Sequence, residues 1–573
     1  MTQFGDYTGV EKLNLASKDL VASNIQKLKT LFPAVITEGR DQDGHLQEAI
    51  DFDKLRDLLS HTIADGPETY EFKWVGKRGA IAETGKPTTQ TLRPDLEESV
   101  DFDKSENVFI TGDNLEVLKV LQESYLGKID MIYIDPPYNT GKDFVYSDKF
   151  QMSEEELADE MDLRDENGLQ RVGLTKNEKS SARYHSDWLN MMYPRLVLAR
   201  NLLKDSGVIF ISIDDNEQAN LKAICDEIFG EENFVAELPT IMNLKGNNDQ
   251  FGFSGTHEFT LVYIKSKNSR EKLNGIKLEE NDIQEYNLSD DKGRYKKGAT
   301  LMRTGEAGER KFRPKGYYPI YVSQSLDSLS IFRGSADDYE VFPRTATGKE
   351  MSWRRSPNNL ESTKDEFIIT KTSQGISFYK KQRLDEALKT GKKPKTLFYK
   401  PEYSSGNGTA RIAELFNGRV FDNPKPTILL KDFISVGIDK ADSLILDFFA
   451  GSATTADAFM QLNAEDGGNR KYILCTLDEQ VADKSAAKEA GYETIDQISR
   501  ERIRRAAKKI QEEHPETVGK QDFGFRAYKL DTSNFKDVSQ TPDSFSQESL
   551  FDSVSNIKDG RTDLDLLFQI MLT

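Results

Sequence analysis

Cysteine is nearly absent from this 573-residue sequence, with Cys225 and Cys475 the only two. That excludes a disulfide framework and a cysteine-built zinc site. Histidine is almost as scarce, and His45, His61, His185, His257 and His514 fall at no metal-ligand spacing, so no metal site is expected. No apolar run approaches the ~20 residues of a membrane span, the longest being the strand-length stretch from Val208 to Ile213. The opening residues, Met1-Thr2-Gln3-Phe4-Gly5-Asp6, carry no basic and then apolar leader, so a reducing cytoplasm is the expected compartment. Positive charge is in deficit as well. A formal net charge of −19 argues against coating nucleic acid by charge alone, while leaving room for a local basic face.

What is present suffices for several cores. With 37% hydrophobic and 30% charged residues, the chain is expected to form about three or four soluble domains. A helical period runs from Ser23 through Ile25, Leu28, Leu31 and Phe32, and again through Phe52, Leu55, Leu58 and Leu59, which predicts a small helical appendage without chemistry. From Asn107 strands and helices alternate. Val108-Phe109-Ile110 enters Gly112-Asp113-Asn114, an amphipathic helix follows through Leu115, Leu118 and Leu121, and Ile129 to Ile134 reads as a second buried strand. Such a βαβ unit crosses over right-handed and predicts Asp113 next to Asp135 at the carboxyl edge of a sheet. There Asp113 is either a helix N-cap or an acceptor for an adenine amine or a hydroxyl.

The second strand ends in Asp135-Pro136-Pro137-Tyr138. These four residues suit one demanding reaction, methyl transfer to the exocyclic amine of an aromatic base. The lone pair of that nitrogen is delocalised into its ring until acceptors hold its N–H groups. Asp135 supplies an anionic acceptor, and the Pro136 carbonyl supplies another, held still because two prolines fix φ. Tyr138 offers a face on which a base stacks, typically worth ~1–3 kcal/mol. By itself the tetrapeptide is equally a proline turn after a strand, so the rest of the chain decides.

Asn139 to Phe144 reads as a glycine-hinged loop, and Met152 to Lys179 as a mobile acidic insertion. Trp188, Met191, Met192, Leu196, Leu198, Leu202 and Leu203 give a helix one wide apolar face; Gly207 to Ile213 is a further buried strand, and Asp214-Asp215-Asn216 opens the next helix. Between Lys265 and Lys400 the alternation stops and the charge balance reverses to about +10. Aromatics there interleave with Arg313, Lys315, Arg354, Arg355, Lys380 and Lys381, a mixture suited to the phosphates and bases of DNA. The sheet pattern resumes with Pro424-Lys425-Pro426 before a helix, then a strand from Ser443 to Phe448 that enters Phe449-Ala450-Gly451-Ser452-Ala453-Thr454-Thr455. Strand, small-residue turn and helix N-terminus form the usual cradle for a nucleoside cofactor, without the GxGxxG of a dinucleotide enzyme. About 20 residues on, the strand from Tyr472 to Leu477 ends in Asp478-Glu479, where an acid binds ribose hydroxyls. Arg500, Arg502, Arg504, Arg505, Lys508 and Lys509 are expected on the charged outer face of a helix; Ser533 to Gly560 reads as a linker, and Leu564 to Leu572 as the start of another helix.

In this order the motifs resemble those of β-class DNA amino-methyltransferases, in which a catalytic half precedes a target-recognition region and an S-adenosylmethionine-binding half. More closely, the chain resembles the modification (Mod) subunit of type III restriction-modification systems. The likeness is carried by Ile110 to Lys119, Tyr133 to Phe144, Trp188 to Glu217, Asp447 to Thr455 and Gly524-Phe525-Arg526, and spans most of residues 20 to 535.

The resemblance implies an α/β, Rossmann-like methyltransferase sheet in permuted motif order. Its expected parts are an N-terminal helical region at 1–90, a catalytic half at 91–265, a target-recognition domain at 266–405, a cofactor-binding half at 406–532, and a linker with the start of a truncated C-terminal domain at 533–573. It implies transfer to N6 of a flipped-out adenine by Asp135, Pro136, Pro137 and Tyr138. Cofactor contacts are expected from Asp113, Lys425, Pro426, Asp447, Phe449, Gly451, Ser452, Thr454, Asp478 and Glu479. Two departures stand out: Ala453 replaces the second glycine of the family's Phe-x-Gly-x-Gly turn, and the chain stops at Thr573. Implied partners are double-stranded DNA, a second Mod chain and a Res helicase-nuclease, since no P-loop occurs here; no membrane is implied. Cytosine N4 is the alternative acceptor. A DNA-recognition subunit that transfers no methyl group is the alternative of a different class.

Overall fold

The apolar stretches pair into one nine-stranded sheet. Its strands are β1 (Gln90–Pro94), β2 (Val108–Thr111), β3 (Ile129–Ile134), β4 (Leu203–Ile213), β5 (Phe234–Ile241), β6 (His257–Ile264), β7 (Leu444–Asp447), β8 (Lys471–Thr476) and β9 (Arg526–Thr532), in the order β1-β9-β2-β8-β7-β3-β4-β6-β5. The six from β9 to β4 run parallel. β1, β6 and β5 close the two sides antiparallel. Parallel strands covered on both faces read as unbroken apolar runs, and Ile129, Met131, Ile132 and Ile134 of β3 are fully buried. The computed structural model describes residues 20–31, 33–40, 46–50, 52, 55, 71–141, 144–146, 174–176, 179, 181, 183–246, 252–267, 273–438, 442–536 and 557–572.

Nine helices of the described residues bear on this sheet or its loops: α1 (Lys77–Gly85), α2 (Asn114–Tyr125), α3 (Tyr184–Leu202), α4 (Gln218–Phe229), α5 (Ser405–Phe416), α6 (Thr427–Gly437), α7 (Thr454–Asp466), α8 (Ile495–Glu513) and α9 (Asp563–Leu572). The apolar face of α3 enters the main core with Trp188, Met191, Met192 and Leu196 beside Ile132, Ile134, Ile209 and Ile211. α1, α2 and α4 pack against α3, and α7 packs against α6 and α8.

Three expectations are corrected. Consecutive strands β2 and β3 are not neighbours, because β8 and β7, from far along the chain, fill two positions between them. Two strands therefore separate Asp113 from Asp135. Near the N-terminus a helix covers Leu20–Leu31 as expected, but Ile36–Arg40 and Leu46–Ile50 form an antiparallel hairpin that no strong alternation announced. On α8, Arg500 and Arg502 point inward, with side chains 4% and 0% exposed, where a charged outer face was expected. The helix expected from Phe52 to Leu59, the insertion from Met152 to Lys179 and the linker from Ser533 to Gly560 fall largely outside the described residues.

The described residues of Met1–Leu273 and Lys395–Thr573 make one compact unit, and Asn274–Pro394 make another. The second unit holds a four-stranded antiparallel sheet of Leu288–Asp290, Gly293–Thr300, Phe367–Thr372 and Gly375–Arg383, and a three-stranded one of Ile320–Val322, Leu329–Ser330 and Tyr339–Val341. Leu301, Ile320, Val322, Trp353, Leu360 and Phe378 fill its core. Among the described residues no helix is long and apolar enough to cross a membrane, and no cluster of His, Cys, Asp or Glu is suited to a metal.

Candidate functional site

Neighbouring strands β3 and β7 end at the same edge, and the sheet changes direction of strand order there, which is where open α/β sheets bind ligands. Asp135 follows β3, and the loop after it is fixed at several points. The Pro137 carbonyl accepts a 2.7 Å hydrogen bond from Trp188 Nε1. Asn139 sits at φ +59°, a left-handed conformation that asparagine tolerates. Its amide donates to Glu217 Oε1 at 2.5 Å, and the Tyr184 hydroxyl donates to its carbonyl. Glu217 is itself fully buried and held by Asn220 at 2.7 Å and by His185 Nδ1 at 2.7 Å. The Pro136 carbonyl accepts no hydrogen bond from the described residues.

Around the tetrapeptide gathers a cluster of charges. Lys425 Nζ lies 2.8 and 2.9 Å from the two carboxylate oxygens of Glu258, donates to the Tyr138 hydroxyl, and stands 3.2 Å from Asp135 Oδ1. Tyr138 donates in turn to Glu258 Oε2 at 3.1 Å. Buried Asp135 Oδ1 accepts no hydrogen bond from the described residues. Burial opposes the charge on Lys425, but Asp135 and Glu258 outweigh it and hold the ammonium above the usual lysine range. Burial, then the same two carboxylates, raises the Tyr138 phenol well above its ordinary value.

The sequence pattern placed Lys425 with the cofactor residues; the fold brings it to the tetrapeptide. Gly408 on α5 makes this approach feasible, since a Cβ there would meet the Pro424 carbonyl oxygen at 2.0 Å. Pro426 is buried as the N-cap of α6. Glu258 drew no notice in the sequence, being one acid at the start of an ordinary strand, and Glu217 likewise had no role assigned to it.

The turn after β7 is tied together from below. Asp447 accepts from Phe449 N at 3.0 Å and from Thr455 Oγ1 at 2.6 Å, and burial pushes its carboxyl up to about 7 against those two bonds. Gly451 takes φ +48° and Ala453 φ +57°. Arg502 Nη1 donates to Ser452 Oγ at 2.9 Å and Thr454 Oγ1 at 2.6 Å, while its Nη2 pairs with Asp457 at 3.1 Å. Phe449 packs in the main core. Asp478 and Glu479 are exposed just past β8. Asp113 caps α2, accepting from Leu115 N at 2.8 Å, with Arg195 3.5 Å from its other oxygen.

This donor set fits S-adenosylmethionine. A Cβ built on Gly451 would come no closer than 3.6 Å to its surroundings, so the turn leaves room for a close approach. Exposed acids stand at the adjoining strand end for hydroxyl groups. Two carboxylates against one lysine leave the tetrapeptide cluster net negative, which suits a cationic sulfonium.

In the second unit Arg313, Lys315, Arg354 and Lys380 are exposed, and Arg355 is half-buried. Lys381 differs: its ammonium is 2.7 Å from Asp290, which Arg383 also grips.

A family model described as DNA methylase matches residues 129–489. The chain is 39% identical over 500 residues to the type III restriction-modification enzyme EcoPI Mod subunit of Escherichia phage P1, covering 86% of this chain and 76% of that one. It is 38% identical over 533 residues to the StyLTI Mod subunit of Salmonella typhimurium, covering 91% and 76%. With the EcoP15I Mod subunit of Escherichia coli it shares 30% over 564 residues, covering 94% and 83%. Likeness of this extent takes in both halves of the sheet and the unit between them, and the chain belongs to the Mod subunits of type III restriction-modification systems, S-adenosylmethionine-dependent DNA methyltransferases.

Proposed function

We propose that the chain methylates N6 of an adenine flipped out of double-stranded DNA, as the modification and specificity subunit working with a second copy of itself and a Res helicase-nuclease. The observation that carries the reading of the site is Asp135 at the end of β3, whose buried Oδ1 accepts no hydrogen bond from the described residues. Extruding the base costs a few kcal/mol, offset by its new contacts. The Asp135 carboxylate accepts one N–H of the amine and the Pro136 carbonyl accepts the other, drawing the lone pair out of the ring. Trp188 keeps the next carbonyl out of competition by bonding it. Tyr138 stacks on the base.

S-adenosylmethionine, when bound, supplies an electrophilic methyl group on a positively charged sulfur. Phe449, Gly451, Asp478, Glu479 and Asp113 would hold it, on a turn shaped by Asp447, Ser452, Thr454 and Pro426. Asp135 takes the proton that the amine releases on methylation. Arg313, Lys315, Arg354, Arg355 and Lys380 supply phosphate contacts. The Mod relatives, and a sequence without a P-loop, support assigning ATP-driven cleavage to a Res partner.

The test uses isotopically labelled S-adenosylmethionine and mixed-sequence DNA, digested to nucleosides for mass spectrometry. Label is expected in N6-methyladenine, falling ~10²–10³-fold in Asp135→Ala with cofactor affinity kept. Label in N4-methylcytosine would move the acceptor to cytosine. No label despite cofactor binding would point to a recognition subunit.

A further inference from the structure

An ammonium group has three protons to donate. At Lys425 all three have takers other than Asp135: the two oxygens of Glu258 and the Tyr138 hydroxyl. The lysine nevertheless stands 3.2 Å from Asp135 Oδ1, in an orientation that makes no hydrogen bond. Asp135 thus feels a positive charge while its Oδ1 accepts no hydrogen bond from the described residues. Were the ammonium to turn onto Asp135, it would compete directly with a target amine.

We propose that Glu258 is a positioning residue for methyl transfer: it tethers the Lys425 ammonium so that Asp135 remains a free acceptor for the target amine. The proposal rests on Asp135 being that acceptor. Three features favour a tether over a chance surface pair. The Lys425 and Glu258 side chains are only 10% and 12% exposed. Glu258 is fixed at the start of β6 by pairing with Thr240 in β5, and Lys425 by prolines on both sides, so neither backbone is free to follow the other. Tyr138, the residue next to the acceptor prolines, closes the ring of contacts through its own bond to Glu258. A buried pair of this kind adds little net stability compared with apolar residues of the same size; its use lies in where it holds the charge.

The experiment measures single-turnover methylation and cofactor affinity for the full chain in four variants. Glu258→Gln frees the ammonium to bond Asp135 and is expected to slow transfer by about 10²-fold, with cofactor affinity within about threefold of the parent. Adding Lys425→Met to Glu258→Gln removes the competing donor and should recover at least about tenfold of the lost rate. A merely structural pair predicts the opposite, a double variant no faster than the single one, and that result overturns the tether. So does a Glu258→Gln enzyme of unchanged rate. Should Glu258→Gln not fold, Glu258→Met with Lys425→Met carries the test: a rate within about tenfold of the parent supports the tether, and a loss of about 10²-fold or more overturns it. Asp135→Ala separates the two readings, because alanine leaves no acceptor at that position. If it keeps the parental rate, the acceptor role of Asp135 fails; if it is slow while the double variant shows no recovery, only the tether fails.

Discussion

Arg502 on α8 reaches 3.1 Å from Asp457 on α7, and neither side chain has any solvent exposure. The same guanidinium grips the turn residues Ser452 and Thr454. One residue therefore joins the turn after β7 to two helices. Removing one partner of a buried ion pair typically costs ~3–5 kcal/mol. Arg411 also pairs with Asp457, at 3.0 Å, and will soften the loss. Arg502→Met should lower stability by about 3 kcal/mol in chemical denaturation and weaken cofactor binding with it. Lys508→Met, on the exposed side of the same helix, should cost less than about 1 kcal/mol. Equal effects of the two would refute the inward role of Arg502.

Ala453 occupies a left-handed conformation that costs an alanine ~1–2 kcal/mol. Ala453→Gly relieves that strain. It also gives up a buried methyl worth ~0.8 kcal/mol and adds ~0.4–1 kcal/mol of freedom to the unfolded chain. The terms nearly cancel, so the variant should match the parent within about 1 kcal/mol and bind cofactor equally well. Ala453→Val, β-branched at positive φ, should lose more than about 2 kcal/mol. The departure at this position from the family's glycine is thus a question of backbone conformation more than of space.

Asp447 has an ordinary carboxyl value of 3.8 and stands at about 7 in the fold, chiefly through burial. Between those values the folded protein keeps a proton that the unfolded chain has lost. The stabilisation this group supplies is complete below 3.8 and is lost as pH rises through about 7. In Asp447→Asn that loss is absent. Stability of the variant relative to the parent should therefore climb between pH ~4 and ~7 and level off above, by no more than about 4 kcal/mol. Thermal melts across that range check the slope, and a flat difference would reject the assignment.

Exposed cations and paired ones should part company in DNA binding. Arg354→Ala is expected to weaken binding across sequences and reduce the slope of log affinity against log salt by about 1. Lys381→Ala should leave that slope alone, because its charge is already committed to Asp290. Fluorescence anisotropy at several salt concentrations separates the two. A matching change of slope in both would place Lys381 at the phosphates.

Much of the site could be read because its strands are covered on both faces, so Ile129 to Ile134 and Leu444 to Asp447 stand out as apolar runs with acids at their ends. What escaped reading depends on partners distant in sequence. Glu258 is 167 residues from the lysine it binds, and nothing in either neighbourhood announces the other. Arg502 looked like surface because an arginine at helical spacing normally faces solvent; the acid and hydroxyls that draw it inward lie 45 to 50 residues earlier. The separation of Asp113 from Asp135 was hidden for the same reason, since adjacency in a sheet belongs to pairing and not to chain order.

The two strands that lodge between β2 and β3 set a timetable for the newborn chain. Leu444 N bonds Asp130 Oδ2 across 314 residues of sequence. At ~5–20 residues per second, roughly 15–60 s pass between synthesis of the two. Throughout that interval the inner edges of β2 and β3 have no partners, and unpaired edges invite wrong ones. The unit of Asn274–Pro394, whose strands pair only among themselves, is complete before the sheet can close. On the ribosome, the Asn274–Pro394 unit is thus ready to fold first, and the nine-stranded sheet must wait for its central strands.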